Sequence, residues 1–160
     1  MDAIQYETLS QPFRKHTKLL LLTNKVLTAL GYITYPLLLV YSFLYEKNRY
    51  ISFILIPATG FILLTFVRKK INKKRPYEAL DIQPIIHKDT KGNSMPSRHV
   101  FSLSIIALSW FVVSPMIGSI LILCSILIAC IRVIGGVHYP SDVIAGMLCA
   151  LIWSFLYLIS

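Results

Sequence analysis

Five apolar stretches of bilayer-spanning length constrain this chain more than any other feature: Val26 to Tyr45, Tyr50 to Val67, Ser97 to Val113, Met116 to Ile134 and Ser141 to Ile159. Runs of this length and apolarity read as membrane-crossing helices. Of the 160 residues, 56% are hydrophobic, and the mean hydropathy is +0.66, well above that of a soluble domain of this size. The expected fold is therefore all-α, a polytopic membrane helix bundle of about five spans with an N-terminal amphipathic arm. Residues 1–24 are expected to form the interfacial arm and residues 25–160 the transmembrane domain.

The arm begins too polar for a secretory signal, because Asp2, Glu7, Gln11 and Pro12 precede any apolar run and no small-residue cleavage site follows. It is expected to stay on the protein, with a short interfacial helix from Arg14 to Leu22 leading into the first span. Glu46-Lys47-Asn48-Arg49 and Ser114-Pro115 are short polar breaks, so the helices they join run antiparallel. Pro36, Pro57 and Gly60 fall inside spans, where neighbouring helices have to supply replacement contacts. The connection from Arg68 to Pro96 is far longer than a bundle corner requires, and long ordered loops tend to carry function. By chain parity this loop and the connection from Ile131 to Pro140 emerge on the same face.

The formal net charge of +9 is concentrated between Arg68 and Arg98 and in Arg14, Lys15, Lys18 and Lys25. Basic clusters beside spans attract anionic lipid headgroups or fix topology, so membrane lipids are the expected partners and nucleic acid is not. Cys124, Cys130 and Cys149 all lie in apolar spans, where a thiol behaves as a small hydrophobe. Neither a metal site nor a disulfide framework is read from them, and no cofactor is expected.

Three polar clusters interrupt the apolar chain on the shared face. In Arg132-x5-His138-x3-Asp142, Pro140 breaks the helix and Ser141 is a suitable cap for the last span. His138 is then expected to be exposed just before a helix start, with Asp142 accepting from one ring nitrogen and leaving the other as an outward lone pair, the arrangement that makes imidazole a nucleophile. The blander alternative is a helix-favouring aspartate beside an interfacial histidine. In Pro96-Ser97-Arg98-His99, Ser97 is read as the cap of the third span, whose free first-turn amides face an anion, and His99 as a general acid; taken alone, a plain structural cap explains it as well. The run from Arg68 to Arg75-Pro76 supplies guanidinium groups that pair with phosphate oxygens, although such a run by itself is usually a topology signal.

These residues resemble the three signature motifs of the type 2 phosphatidic acid phosphatase superfamily, K-x6-R-P, P-S-G-H and S-R-x5-H-x3-D. Arg68-x6-Arg75-Pro76, Pro96-Ser97-Arg98-His99 and Ile131-Arg132-x5-His138-x3-Asp142 correspond to them in order. The resemblance covers roughly residues 50 to 160. It implies a phosphohistidine intermediate at His138, orientation by Asp142, proton donation by His99, and phosphoryl binding by Arg68, Arg75, Ser97 and Arg132, without a metal. Arg68 stands where the family usually has lysine, and adjacent Lys69 is the alternative cation. Arg98 replaces the motif glycine; it either contacts a second phosphate or pairs with Glu78, Asp81 or Asp89. Ile131 replaces serine and removes a hydrogen-bonding group.

What the resemblance implies is an integral membrane phosphatase, expected in the cell membrane, acting on a lipid phosphate monoester or diphosphate such as phosphatidate, phosphatidylglycerophosphate or a polyprenyl diphosphate. The family's site faces away from the cytoplasm, whereas the distribution of basic residues places the loop inside; because catalysis accounts for several loop cations, the extracytoplasmic face is favoured. A vanadium haloperoxidase shares the helical core, but the five apolar spans argue against it. A catalytically inactive protein of the same fold, acting in lipid binding or assembly, is the other alternative. The oligomeric state is not encoded in these patterns.

Overall fold

Each apolar stretch forms a helix, and together they bury their own backbone polar groups as hydrocarbon requires. The computed structural model describes residues 1–159, among which there is no strand. In chain order the helices are α1 (Ala3–Arg14), α2 (Thr17–Tyr45), α3 (Tyr50–Ile71), the single turn α4 (Pro76–Ala79), α5 (Arg98–Val113), α6 (Pro115–Ile134) and α7 (Pro140–Ser154), with 3-10 turns at Lys47–Arg49 and Phe155–Leu158. Four segments, Thr17–Tyr45, Lys47–Ala79, Pro115–Ile134 and Pro140–Leu158, are long and apolar enough to cross a membrane, and α5 is a shorter apolar helix. At 16 residues, α5 is about 24 Å long at 1.5 Å per residue. The protein is an all-α integral membrane bundle.

The chain breaks at Lys15-His16 and not after a helix running from Arg14 to Leu22. Asp2 and Gln5 form a capping box, with Gln5 N–H donating to Asp2 Oδ1 at 2.8 Å and Asp2 N–H to Gln5 Oε1 at 3.1 Å, so a first helix starts at Ala3. Thr17 to Leu22 are the opening turns of α2, continuous with the first span. The capping pattern stands in the sequence but is followed by no apolar run.

The innermost helix is α5, which packs most extensively on α6, then on α7, and also touches α2 and α3. Its buried residues run along most of its length, from Val100 to Trp110. One apolar cluster, including Leu27, Val100, Ile128, Val137 and Val143, underlies the polar face; a second, including Leu38, Phe53, Ile105, Leu121 and Tyr157, fills the opposite half. Large apolar side chains such as Leu37, Phe66, Leu123 and Ile152 point outward, as they must where the solvent is lipid.

Polar contacts inside the bundle repair backbone defects. Pro57 has no N–H to give to the carbonyl of Phe53, and the hydroxyl of Tyr35 on α2 donates to that carbonyl instead, at 3.2 Å. Ser104 and Ser125 pair across α5 and α6 at 2.5 Å, and Ser109 pairs with Tyr157 at 2.6 Å.

Helices α5 and α7 approach so closely that a β-carbon on Gly146 would lie 2.8 Å from the carbonyl oxygen of Ser97. Gly146→Val is therefore expected to force the two helices apart, costing about 1–3 kcal/mol. A thermal midpoint in detergent that stays at the parent value would refute this close-packing account.

Candidate active site

The end of α6 shapes the first part of the site. Gly136 takes a φ of +76°, which only glycine adopts without strain, and the turn sends the N–H groups of Val137 and His138 back to the carbonyl of Arg132 at 3.2 and 3.3 Å. Arg132 thus anchors His138 through its backbone while its own side chain is buried and its Nε has no partner. Pro140 then opens α7, and the Tyr139 N–H donates to Asp142 Oδ2 at 3.0 Å. Two expectations change here. Ser141 falls inside α7 and does not cap it, while Asp142, in the first turn, reaches back to the residue before the helix. His138 is 1% exposed instead of lying open at the surface, because the long loop closes over it.

That loop is tied down residue by residue. Asn72 ends α3 in the left-handed region, and its Oδ1 accepts from Asn93 N–H at 3.3 Å. Ser94 N–H donates to the Lys73 carbonyl at 2.9 Å. Both faces of the Gly92 peptide are held, its N–H by Glu78 Oε1 at 2.8 Å and its carbonyl by Arg75 Nε at 3.1 Å. The result brings Ser94 beside His138 and Asp142.

The carboxylate of Asp142, fully buried, collects several donors. Lys73 Nζ lies 2.7 Å from Oδ1, and Ser94 Oγ donates to Oδ2 at 2.5 Å. His138 Nδ1 is 3.6 Å from Oδ2, beyond a hydrogen bond, and 3.3 Å from Ser94 Oγ. Nδ1 therefore faces both the expected carboxylate and Ser94, which stands beside the pair and closes a triangle with it. A proton on Nδ1 pointing to Ser94, whose own proton points to Asp142, leaves Nε2 with its lone pair. Burial pushes His138 down to about 4, with Arg75 and Arg132 acting in the same sense against the pull of Asp142. The ring is accordingly neutral at ordinary pH.

Cations surround this pair. Arg68 is buried and donates to the carbonyls of Pro96 and Asn93, whereas Lys69 is exposed on the outer side of α3; the structure brings Arg68 to the site and leaves Lys69 out. Arg75 is buried and donates through Nη1 to the carbonyl of Val137, beside His138, at 3.2 Å. Ser97 occupies the position before α5, yet its hydroxyl makes no cap and is buried without a partner, and its N–H is taken by the Asp142 carbonyl at 2.8 Å. The amides left open to an anion at the start of α5 belong to the residues after it. His99, in that first turn, lines two cavities. Arg98 forms no ion pair among the described residues, so of its two alternatives the pairing with Glu78, Asp81 or Asp89 is not made; its guanidinium lies 5.7 Å from the ring centre of Phe61.

An apolar cleft of about 550 Å³ opens between α2, α3 and α5, lined by Tyr32, Tyr35, Pro57 and Phe61 among others, with Arg98 and His99 at its polar end. A neutral imidazole, buried guanidinium groups, a bare helix start and a greasy cleft can together receive a tetrahedral anion carried on a lipid chain.

Ser94 escaped sequence reasoning because nothing in its spacing distinguishes it from other loop serines. Lys73 was hidden within a basic run that reads as a topology signal.

The geometry is that of a membrane phosphatase. The chain belongs to the PAP2 superfamily, whose sequence model matches residues 49–160. Its fold is similar to the crystal structure of LpxE from Aquifex aeolicus, with a TM-score of 0.77 and 25% identity over 99% of this chain and 95% of the other. It is also similar in fold to a transmembrane PAP2-type phosphatidylglycerolphosphate phosphatase from Bacillus subtilis, with a TM-score of 0.63 and 21% identity over 96% of this chain and 90% of the other. No curated protein sequence matches it.

Two tests follow from the hydrogen-bond chain. Ser94→Ala should lower kcat for phosphate release by about tenfold while KM changes little, since it removes positioning and no contact to substrate. Unchanged kcat would remove Ser94 from the relay. Because the folded protein holds His138 at about 4 against an ordinary value of 6.5, unfolding takes up a proton between those values. Stability should thus fall as pH drops from 6.5 towards 4, and His138→Gln should flatten that part of the profile of thermal midpoint against pH.

Proposed function

We propose that the protein hydrolyses a lipid phosphate monoester or diphosphate through a phosphohistidine formed at His138. The observation that carries this reading is His138 itself: buried, kept neutral and fixed from its Nδ1 side by Ser94 and Asp142, amid buried Arg68, Arg75 and Arg132. Nε2 attacks phosphorus, an N–P bond forms, and the bond from phosphorus to the leaving oxygen breaks. His99 gives that oxygen a proton. Water then attacks the phosphohistidine, returning its proton to His99, and inorganic phosphate departs as the N–P bond breaks.

The guanidinium groups supply the charge stabilisation that phosphoryl transfer needs, so the step proceeds without a metal. Arg68, Arg75, Arg132 and Ser97, whose buried hydroxyl has no partner within the protein, hold the phosphoryl group. The apolar cleft takes the lipid chain. An extracytoplasmic site in the cell membrane is supported by the use of Arg68, Lys73 and Arg75 inside the loop: cations engaged in structure and chemistry weigh less as topology signals.

His138→Ala should lose turnover by several orders of magnitude while the bundle stays folded, and an acid-labile phosphoenzyme should vanish with it. Full activity in that variant would overturn the mechanism. The roles of the two histidines separate on leaving groups. His99→Asn should lose most activity on a lipid alcohol and much less on a nitrophenyl phosphate, which departs without a proton, whereas His138→Asn should fail on both. Equal losses for His99→Asn on the two substrates would end its role as acid.

A further inference from the structure

A second cavity, of about 370 Å³, lies between the start of α2 and the Ile86–Lys88 segment of the long loop. It is lined by Asn24, Lys25, His87, Lys88, His99 and Arg132 among others, and not by His138, Arg68 or Arg75. It therefore adjoins the site at His99 and Arg132. No aspartate or glutamate lines it among the described residues, and neither does any such residue pair with Lys88. Arg132, 3% exposed, contributes a buried Nε without a partner. Burial and the neighbouring Arg132, Arg75, Arg68 and Arg98 push the Lys88 ammonium down to about 8. Cations gathered without a counter-charge are stabilised by an anion entering among them.

The cavity shares Thr28, Tyr32 and His99 with the apolar cleft. That junction fixes which anion fits. If His99 protonates the leaving oxygen, whatever that oxygen remains attached to lies beside His99, where the cavity and the cleft meet. In a lipid diphosphate it remains attached to the inner phosphate, and the chain beyond continues into the cleft.

We propose that this cavity seats the inner phosphate of a lipid diphosphate, with Lys88 as the residue that favours a diphosphate over a monophosphate. This rests on the phosphatase reading above. His138 Nε2 bonds to the terminal phosphorus, the bond from that phosphorus to the bridging oxygen breaks, His99 gives its proton to the bridging oxygen, and the lipid monophosphate leaves with its charge held by Lys88. Neither Lys88 nor Lys25 belongs to the three motifs, and both come from segments that the motifs do not reach.

The test compares farnesyl diphosphate with farnesyl monophosphate in neutral detergent. Lys88→Met should lower the ratio of kcat/KM for diphosphate to that for monophosphate by about tenfold, as expected for loss of one charge-assisted contact, and Lys88→Arg should restore most of it. An unchanged ratio, whether both substrates lose equally or neither does, overturns the subsite. If the parent protein releases phosphate from neither compound, nor from phosphatidate or phosphatidylglycerophosphate, the phosphatase reading fails, and binding decides this inference separately. In a His138→Ala background, Lys88→Met should weaken farnesyl diphosphate about tenfold more than the monophosphate, and equal weakening overturns it. Adding phosphatidylglycerol to the micelles separates the remaining source of phosphate: a Lys88 effect seen only with that lipid present assigns the cavity to a bulk headgroup and ends the proposal.

Discussion

One buried carboxylate ties the site together. Asp142 accepts from Lys73 at the end of α3, from Ser94 in the long loop and from the Tyr139 amide at the start of α7, while its own carbonyl accepts from the Ser97 amide before α5. Each partner comes from a different stretch of chain. A charge without exposed surface is tolerated only when its lone pairs are filled, so the donors have to be brought to it. The requirement that Asp142 be satisfied thus also sets where His138 points and how close α5 lies to α7.

The opposite charge is handled differently. Arg68 and Arg75 spend part of their donor capacity on backbone carbonyls, which locks the loop before any ligand binds. Arg132 keeps a buried Nε free. Holding several guanidinium groups together in a weakly polar setting costs stability in the empty protein, and an arriving phosphate relieves that repulsion. A site of this kind is preorganised for an anion by the backbone contacts of its own cations.

Much of this was legible from the sequence where period and spacing speak. The apolar lengths gave the later spans within a few residues, although α2 begins at Thr17, nine residues before the expected Val26, and parity placed the long loop and the Ile131–Pro140 connection on one face, as the Arg75 to Val137 and Lys73 to Asp142 contacts show. What did not show were contacts between residues far apart in the chain with no pattern to mark them. Ser94 reaches Asp142 across 48 positions, and nothing local distinguishes it. The caps differ for a related reason: Ser97 and Ser141 are good capping types, but Pro140 opens α7 one residue early and puts Ser141 inside the helix, and the Ser97 hydroxyl is buried without a partner.

The sequence by itself determined that this is a membrane bundle and which ionisable groups share a face, because apolar length and chain parity are local properties that lipid enforces on each segment. Only the tertiary structure decided that His138 is buried, that Ser94 joins it and Asp142, and that Arg68 is buried while Lys69 is exposed. Those outcomes depend on how a 25-residue connection from Asn72 to Pro96 folds over the helix ends, and its path is set by hydrogen bonds to partners that no periodicity announces.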